Sequence, residues 1–596
     1  MRRELLALSF ALLLTSTVKA EDVLVTANRI EVPEESVSED FEVITKEDIK
    51  KYGFTSISDV LAYISGIHLS SNGGLGQVTN VYTLGLPSKH ILVMVNGVPV
   101  YDPSRIGGEA NFEWIDLSNV ERIEVIKGPQ GALYGSDAVA GVINIITKKP
   151  KEREFKLTTE GGKYKTFKER FYAGLPLEKG FLSLSFENFK TNGFSATNSD
   201  SPYYESDNDG FRYKAGWFSY GYSPSDRVRI TGDLKVRGGS VDYDSLPYNP
   251  KAKANYDNFF TDLKGEFLIS DDLSVSAKFG HNREEREYPY GNYTGVVRYF
   301  SLQPVYYLSE NTFLTGGLNY RQEKAQTPSK SSAHTRSAFV ELHGEIFGVT
   351  YTGALRRDWH SQFGGKTTYK LSAGYKIRLT GTKLRAQYGT GFKAPSLYQL
   401  YGPGVGNEKL KAETSEGWNV GFDQRIPYLK GSFSVTYFKN HVWNLIDMPW
   451  WQGVYKYTNY NKALTEGVEI KGKVEVIENL SLFGSYTHLR AEDYKPGSGW
   501  EKLARRPEFS YTVGVEGKFK GVKTSLWALH YSDREDSNGK TLGGFTTVNC
   551  YVSYEFKGGL ELYAKGINLT DEDYQLAYGY NTMGRALFVG LNYAFK

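Results

Sequence analysis

The sequence predicts a mainly β protein, an antiparallel transmembrane β-barrel of about 22 strands with a small N-terminal α+β domain inside its lumen. Three observations lead there. From Phe155 on, apolar and polar residues alternate: in Arg227–Arg237, Val228, Ile230, Leu234 and Val236 oppose Arg227, Arg229, Asp233, Lys235 and Arg237. The breaks between such segments are alternately tight and long. Aromatic residues make up 14% of the chain, with 44 Tyr beside 63 Gly, a mixture suited to aromatic girdles at two membrane interfaces.

Alternation alone does not say which face is inside, because a soluble barrel or sandwich shows the same period with its apolar face in the core. The connections decide. Ser223-Pro224-Ser225-Asp226, Ser270-Asp271-Asp272, Ser309-Glu310-Asn311 and Lys557-Gly558-Gly559 are tight, whereas Thr191–Phe211, Gly238–Asn258, Lys393–Ser415, His441–Lys462 and Leu489–Arg506 are long. Short turns on one rim and long loops on the other are the habit of outer-membrane barrels. Leu273–Phe279, Val340–Ile346, Val468–Val476 and Tyr511–Phe519 repeat the pattern, and Leu587, Val589, Leu591, Tyr593 and Phe595 carry it almost to the last residue.

Composition sets the bounds. At 596 residues the chain exceeds one ordinary soluble domain. Mean hydropathy is -0.43, and the longest apolar run, Leu5–Leu14, is too short for a spanning helix. A net charge of +3 gives no reason to expect nucleic acid. The single Cys550 excludes an intrachain disulfide and any CxxC metal site.

Residues 1–20 read as a signal peptide: Arg2 and Arg3, an apolar run, then Val18-Lys19-Ala20 as a cleavage site. Glu21–Arg29 is a short β-prone segment with no partner in its own neighbourhood, suited to joining the sheet edge of another protein. Thr45 and Asp48 form a capping box for a short helix, and Ser58-Asp59 opens a second, with Val60, Leu61 and Ile64 on one face. Gly73-Gly74-Leu75-Gly76 is a loop without the Lys-Ser/Thr pair of a phosphate cradle. His90–Val100 reads as strand, Asn96-Gly97 turn and strand. Val120–Lys149 then closes the small domain: an alternating strand, a Gly-Pro break, a helical turn and Val142–Ile146, apolar on both faces and so enclosed on both.

Gly128–Lys149, GPQGALYGSDAVAGVINIITKK, resembles the closing segment of the plug domain in TonB-dependent outer-membrane receptors. Within that family, EDVLVTANR resembles the TonB box of the cobalamin receptors, implying that Asp22, Val23, Leu24, Val25, Thr26 and Ala27 are gripped by TonB. Tyr388–Gly402 and the final GINLTDEDYQLAYGYNTMGRALFVGLNYAF resemble the same receptors. The resemblance implies a TonB box at 21–28, a plug at 29–149 and a barrel at 150–596. It also implies uptake of a scarce large ligand across the outer membrane of a Gram-negative bacterium. Val78, Thr79, Asn80, Val81 and Tyr82 occupy the plug's substrate loop, Arg105 and Ile106 its second contact loop, and Arg505 or Arg506 matches a barrel arginine near the ligand. Pro87 replaces an Asn of the family, and Leu84 the Arg of its IRG motif.

Glu205, Asp207 and Asp209 alternate before Gly210, the spacing of an oxygen-rich calcium loop, and Asp242, Tyr243, Asp244 and Asp257 flank the next loop. A solvated acidic loop has the same composition. In cobalamin receptors these two loops bind calcium; Glu205, Asp207, Asp209, Tyr243 and Asp244 match the liganding positions, Asp257 matches loosely, and Ser195 stands where the family has Asp. The implied partners are TonB with ExbB and ExbD, outer-membrane lipid and lipopolysaccharide, and a ligand that is cobalamin or another corrinoid, a haem or a ferric siderophore, with the receptor a monomer. A passive porin needs no plug. No G-x-S-x-G or H-E-x-x-H occurs, so an enzyme is not expected.

Overall fold

The computed structural model describes residues 24–26, 29–245, 249, 252–327, 329–449, 453–495 and 497–595. The expected signal peptide, with Asp22, Val23 and Ala27 of the TonB box, lies outside the described residues.

The N-terminal domain is built on a five-stranded sheet in the order Phe41–Thr45, Val120–Lys127, Gly141–Thr147, Ile91–Val95, Val98–Pro99. Gly141–Thr147 takes the centre, antiparallel to Val120–Lys127 and parallel to Ile91–Val95, and every residue of it is buried. Its run of Val142, Ile143, Ile145 and Ile146, broken only by the hydrogen-bonded Asn144, suits that place, since a central strand has no wet face. Helix Lys46–Lys51 carries the expected Thr45/Asp48 capping box. Helix Ile57–Tyr63 is capped by Ser56 with Asp59, not by Ser58. Ser58 instead lies inside the helix and donates to the buried Glu113 carboxylate.

Around this domain closes a 22-strand antiparallel barrel, sealed where Glu154–Gly162 pairs with Ala586–Phe595. Adjacent residues of one strand show which face is inside: Val236 is 51% exposed on the outer surface, while Lys235 is 5% exposed in the lumen. The apolar rows therefore face outward and the charged rows inward, against the enclosed domain.

Two sequence expectations need correction. The connection expected over Gly238–Asn258 is mostly strand: Val228–Tyr243 and Ala252–Ser270 overshoot the barrel, and only 244–251 joins them. Nor is every outer connection long, because residues 289–290 alone link Leu273–Tyr288 to Gly291–Ser309. Strands of 16 to 19 residues exceed what a bilayer requires, so the hairpins themselves project from the membrane.

The second correction concerns the N-terminal segment expected to lack a local partner. Leu24–Val25 pairs antiparallel with Val32–Pro33, after a turn closed by Arg29 N–H donating to the Thr26 carbonyl at 2.9 Å. Val25 and Val32 are buried with Val37, Ile126, Val305 and Phe313, and that burial makes so short a pairing hold.

Candidate functional site

At the outer end of the inner domain, Ile67–Ser71 and Thr79–Thr83 form a hairpin whose tip reaches the barrel loops. Alternation divides the five expected contact residues between two faces. Val78 is exposed and Asn80 partly so; Thr79 is buried and donates to Ser71 Oγ at 3.1 Å, and Val81 is fully buried in the domain core. Tyr82 shares the face of Val78 and Asn80 but is covered there, stacked on His68 with ring centroids 5.1 Å apart and capped by the Arg506 guanidinium 4.2 Å from its ring centre. Val81 and Tyr82 thus support the tip from beneath.

Arg505 and Arg506 are drawn onto this hairpin. Arg506 Nε donates to the Gly85 carbonyl at 3.0 Å; Arg505 Nε pairs with Asp536 at 2.7 Å and its guanidinium reaches Ser70 Oγ at 3.4 Å. Burial, then the charges of Arg506 and Arg534, holds the His68 imidazole well below its usual value and so neutral. In the second loop Arg105 pairs with Glu109 at 2.9 Å, whereas Ile106 is exposed and its carbonyl accepts from Ser396 Oγ at 2.6 Å. Gln77 Nε2 donates to the Asp242 carbonyl at 2.7 Å, tying the tip to the overshooting hairpin.

Glu205, Asp207 and Asp244 come together there, each with a carboxylate oxygen within 4.8 Å of the others. One Asp244 oxygen is held by the Thr197 amide at 2.7 Å and hydroxyl at 2.6 Å; the other is buried without a hydrogen-bond partner. An orphaned carboxylate oxygen among three acids fits a hard, oxygen-seeking divalent cation. Ser195 Oγ spans the Thr197 and Glu205 carbonyls, at 2.7 and 2.8 Å, bracing one loop, and reaches the Asp244 carboxylate of the next at 3.3 Å.

Two expected acids, Asp209 and Asp257, stand outside this carboxylate group. Asp209 accepts the Ala196 amide at 2.6 Å. Tyr243 packs edge-on to Tyr288. Asp257 lies opposite Gly238 and Glu285 and shares the outer face with Phe259, so the pleat turns it away from the cluster.

The flanks of the inner domain carry ion pairs that the sequence reading missed. Its acids Asp102, Asp116 and Asp137 meet barrel cations Arg286, Lys235 and Arg321 at 2.8, 2.9 and 2.9 Å, and Glu39 meets Lys370 at 2.6 Å. In the opposite sense Lys127 reaches the barrel's Glu469 at 2.7 Å, and within the inner domain it lies 3.4 Å from Asp40. Burial would raise the Asp116 carboxyl, but Lys235 and Arg237 outweigh it and hold the group below the usual carboxylate range. The cationic lumen face of Val228–Tyr243 was the available signal, since a row of buried charge demands counter-charges.

At the periplasmic end, Thr26 is gripped by the Val120–Lys149 unit. Its amide donates to Glu124 at 3.0 Å, its carbonyl accepts from Tyr134 Oη at 2.8 Å, and its hydroxyl accepts from Asn144 Nδ2 at 2.9 Å. Beside it opens a cavity of about 770 Å³ between inner domain and barrel wall, bordered by Thr26, Asn96, Lys149, Arg229 and Lys278.

Residues 33–142 match the TonB-dependent Receptor Plug Domain, and residues 150–569 match the family described as TonB dependent receptor-like, beta-barrel. The chain belongs to the TonB-dependent receptors. Such receptors lie in the Gram-negative outer membrane and carry a large ligand across it with TonB as partner; the family is one of transporters. This receptor is 30% identical, over the whole of both chains, to each of two proteins named vitamin B12 transporter BtuB, one from Photobacterium profundum and one from Vibrio vulnificus. It also superposes on the siderophore receptor PirA from Acinetobacter baumannii with TM-score 0.81, covering 94% of this chain and 99% of that one at 19% identity, a likeness of fold alone.

Proposed function

We propose that the transported ligand is cobalamin or a closely related corrinoid, and that Glu205, Asp207 and Asp244 hold Ca²⁺ that orders the loops around it. The observation that carries this reading is the end-to-end similarity to the two vitamin B12 transporters. The orphaned Asp244 oxygen supports the metal. Ile106, Val78 and Asn80 offer the ligand an apolar and amide surface, and Arg505 and Arg506 fix the hairpin that presents it.

Since the outer membrane holds no ATP, energy enters through the TonB box, pulled by TonB with ExbB and ExbD behind it. The pull must break the Leu24–Val25 pairing and the three Thr26 anchors before it strains the central sheet. The receptor acts as a monomer, after removal of residues 1–20.

A binding screen of purified receptor with cobalamin, cobinamide, haem and ferric siderophores, each with and without Ca²⁺, tests the ligand. Cobalamin or cobinamide should bind tightest, and more tightly with Ca²⁺; preference for haem or a ferric chelate overturns the reading. Asp207→Asn with Asp244→Asn should remove the calcium effect while leaving metal-free binding unchanged. Deleting Asp22–Ala27 should abolish uptake and spare equilibrium binding, and undiminished uptake would refute the pulling scheme.

A further inference from the structure

The loop that closes the barrel, residues 568–585 between strands Leu560–Ile567 and Ala586–Phe595, contains no helix or strand and is nevertheless tightly built. Asn568 is fully buried. Its side-chain amide donates to the Glu572 carbonyl at 2.8 Å and the Met583 carbonyl at 3.1 Å, and its side-chain oxygen accepts the Glu572 N–H at 2.9 Å. Thr582 Oγ1 donates to the Tyr574 carbonyl at 2.6 Å, and the Tyr574 ring stacks on Phe545 with centroids 4.1 Å apart. A connection this long without secondary structure is uncommon unless it has a task, and ties from both ends to the middle make this one a body rather than a string.

It holds two partners at once. On one side it grips the loop that carries Glu205 and Asp207. Asn581 N–H donates to the Ala196 carbonyl at 2.9 Å, and Asn581 Nδ2 to the Ser195 and Thr197 carbonyls at 2.9 and 2.7 Å. Asn198 N–H returns a bond to the Gly579 carbonyl at 3.0 Å, and Thr197 bridges Tyr580. Thr197 is the residue whose amide and hydroxyl hold Asp244. On the other side the loop meets the plug hairpin: the buried Ser70 hydroxyl donates to the Leu576 carbonyl at 3.0 Å and accepts from Arg505 at 3.4 Å. Asp536 joins that side, taking the Tyr578 N–H at 2.6 Å while pairing with Arg505 at 2.7 Å.

We propose that this loop is a yoke between the plug tip and the carboxylate cluster, with Ser70, Asp536 and Asn581 as positioning residues, so that displacing the plug hairpin loosens the cluster at a distance. The inference rests on the reading of Glu205, Asp207 and Asp244 as a cation site. Among the described residues no hydrogen bond or ion pair joins Ser70 or Asp536 to those three acids. Ala196 and Thr197 are each 2% exposed, so a shift of Asn581 strips hydrogen bonds from buried backbone and the cost is felt at Asp244. Such coupling is reciprocal: a bound cation disfavours release of the hairpin by the factor by which release weakens the cation. The tip's direct tie to the outer loops, Gln77 to Asp242, is separate and is left in place by the variants below.

The test is Tb³⁺ luminescence of the purified, ligand-free receptor, excited through Tyr203 and Tyr204 beside Glu205 and checked by displacement with Ca²⁺. The double variant S70A/D536A should bind Tb³⁺ about fivefold more weakly, or worse. The control S38A removes a plug hydroxyl that meets barrel Thr350 at 2.7 Å at the periplasmic end, and it should match wild type. A wild type that takes no Tb³⁺ rejects the cation reading and the yoke with it. Binding by wild type with equal binding by S70A/D536A leaves the cation reading standing and overturns the yoke, as does equal weakening in S38A. Should the double variant fail to assemble, S70A alone decides by hydrogen exchange: Ca²⁺ should slow exchange in Ile67–Ser71 of wild type and not of S70A. The same response to Ca²⁺ in both proteins refutes the coupling.

Discussion

The plug and the barrel are made of the same amino acids arranged by opposite rules. In the plug, Leu61, Ile123 and Ile143 are buried and charge lies at the periphery. In the barrel, Leu318, Leu371 and Val589 stand 59 to 64% exposed, while Lys235, Lys370 and Arg321 are buried in the lumen. The difference lies in the surroundings: the plug excludes water from its centre, and the barrel wall separates oil outside from a polar bore inside. The bore is not open water, however. Plug acids and wall cations neutralise one another across it, so a cork with a dry centre can fill a charged channel.

Placing a charge on the wrong side of each rule should break the contrast, the plug most severely. Ile143→Asp puts an unpaired carboxylate at the sheet centre and should cost about 4–5 kcal/mol or more. Limited proteolysis should then cut the plug while the barrel still resists heat and detergent on a gel. Lys127→Met, which strands Asp40 and Glu469, should cost about 3–5 kcal/mol, read as faster hydrogen exchange in Val120–Lys127; adding Glu469→Gln should recover part of it. On the lipid side, Leu371→Arg should cost about 2–4 kcal/mol in barrel stability, measured by denaturant-driven folding into bilayers.

The smallest effect concerns pH. Burial would raise the carboxyls of Glu39 and Asp116, but Lys370 and Lys235 respectively outweigh it and hold both below the usual carboxylate range. A carboxyl lowered by folding contributes stability above its unfolded value, about pH 4, and loses it as pH falls through the folded one. Buried neutral His68 and His90 cost stability as pH falls below about 6.5. Plug hydrogen exchange, corrected for intrinsic rates, should therefore quicken between pH 7 and pH 5, and loss of the carboxylate pairs should add a further acceleration only below about pH 4.

Much of this was legible because a strand's period of two survives any tertiary context: Val228 to Arg237 announces its two faces before any neighbour is known. The same parity could have placed Asp257, two residues before outward-facing Phe259, on the lipid side and removed it from the calcium set. The spacing Ser56 to Asp59 equally announces a capping box, and the adjacent Ser58 obscured it. Other features were beyond reach. Nothing local in Val32-Pro33 foretells pairing with Leu24–Val25, because side chains nearly 300 residues away bury it, Val305 and Phe313 among them. The grouping of Glu205, Asp207 and Asp244 likewise depends on how far two hairpins overshoot the membrane. Composition does not encode that distance.

The central claim is that the wall turns its apolar rows to lipid and its polar rows to the plug. Spin labels at Leu371 and, in a separate protein, at its strand neighbour Ser372, both in a Cys550→Ser background, test it most directly in lipid vesicles. The Leu371 label should collide freely with dissolved oxygen and be shielded from a water-soluble nickel chelate, whereas the Ser372 label should be protected from oxygen. The reverse, with the Ser372 label exposed to oxygen in lipid and the Leu371 label sheltered, would contradict the account.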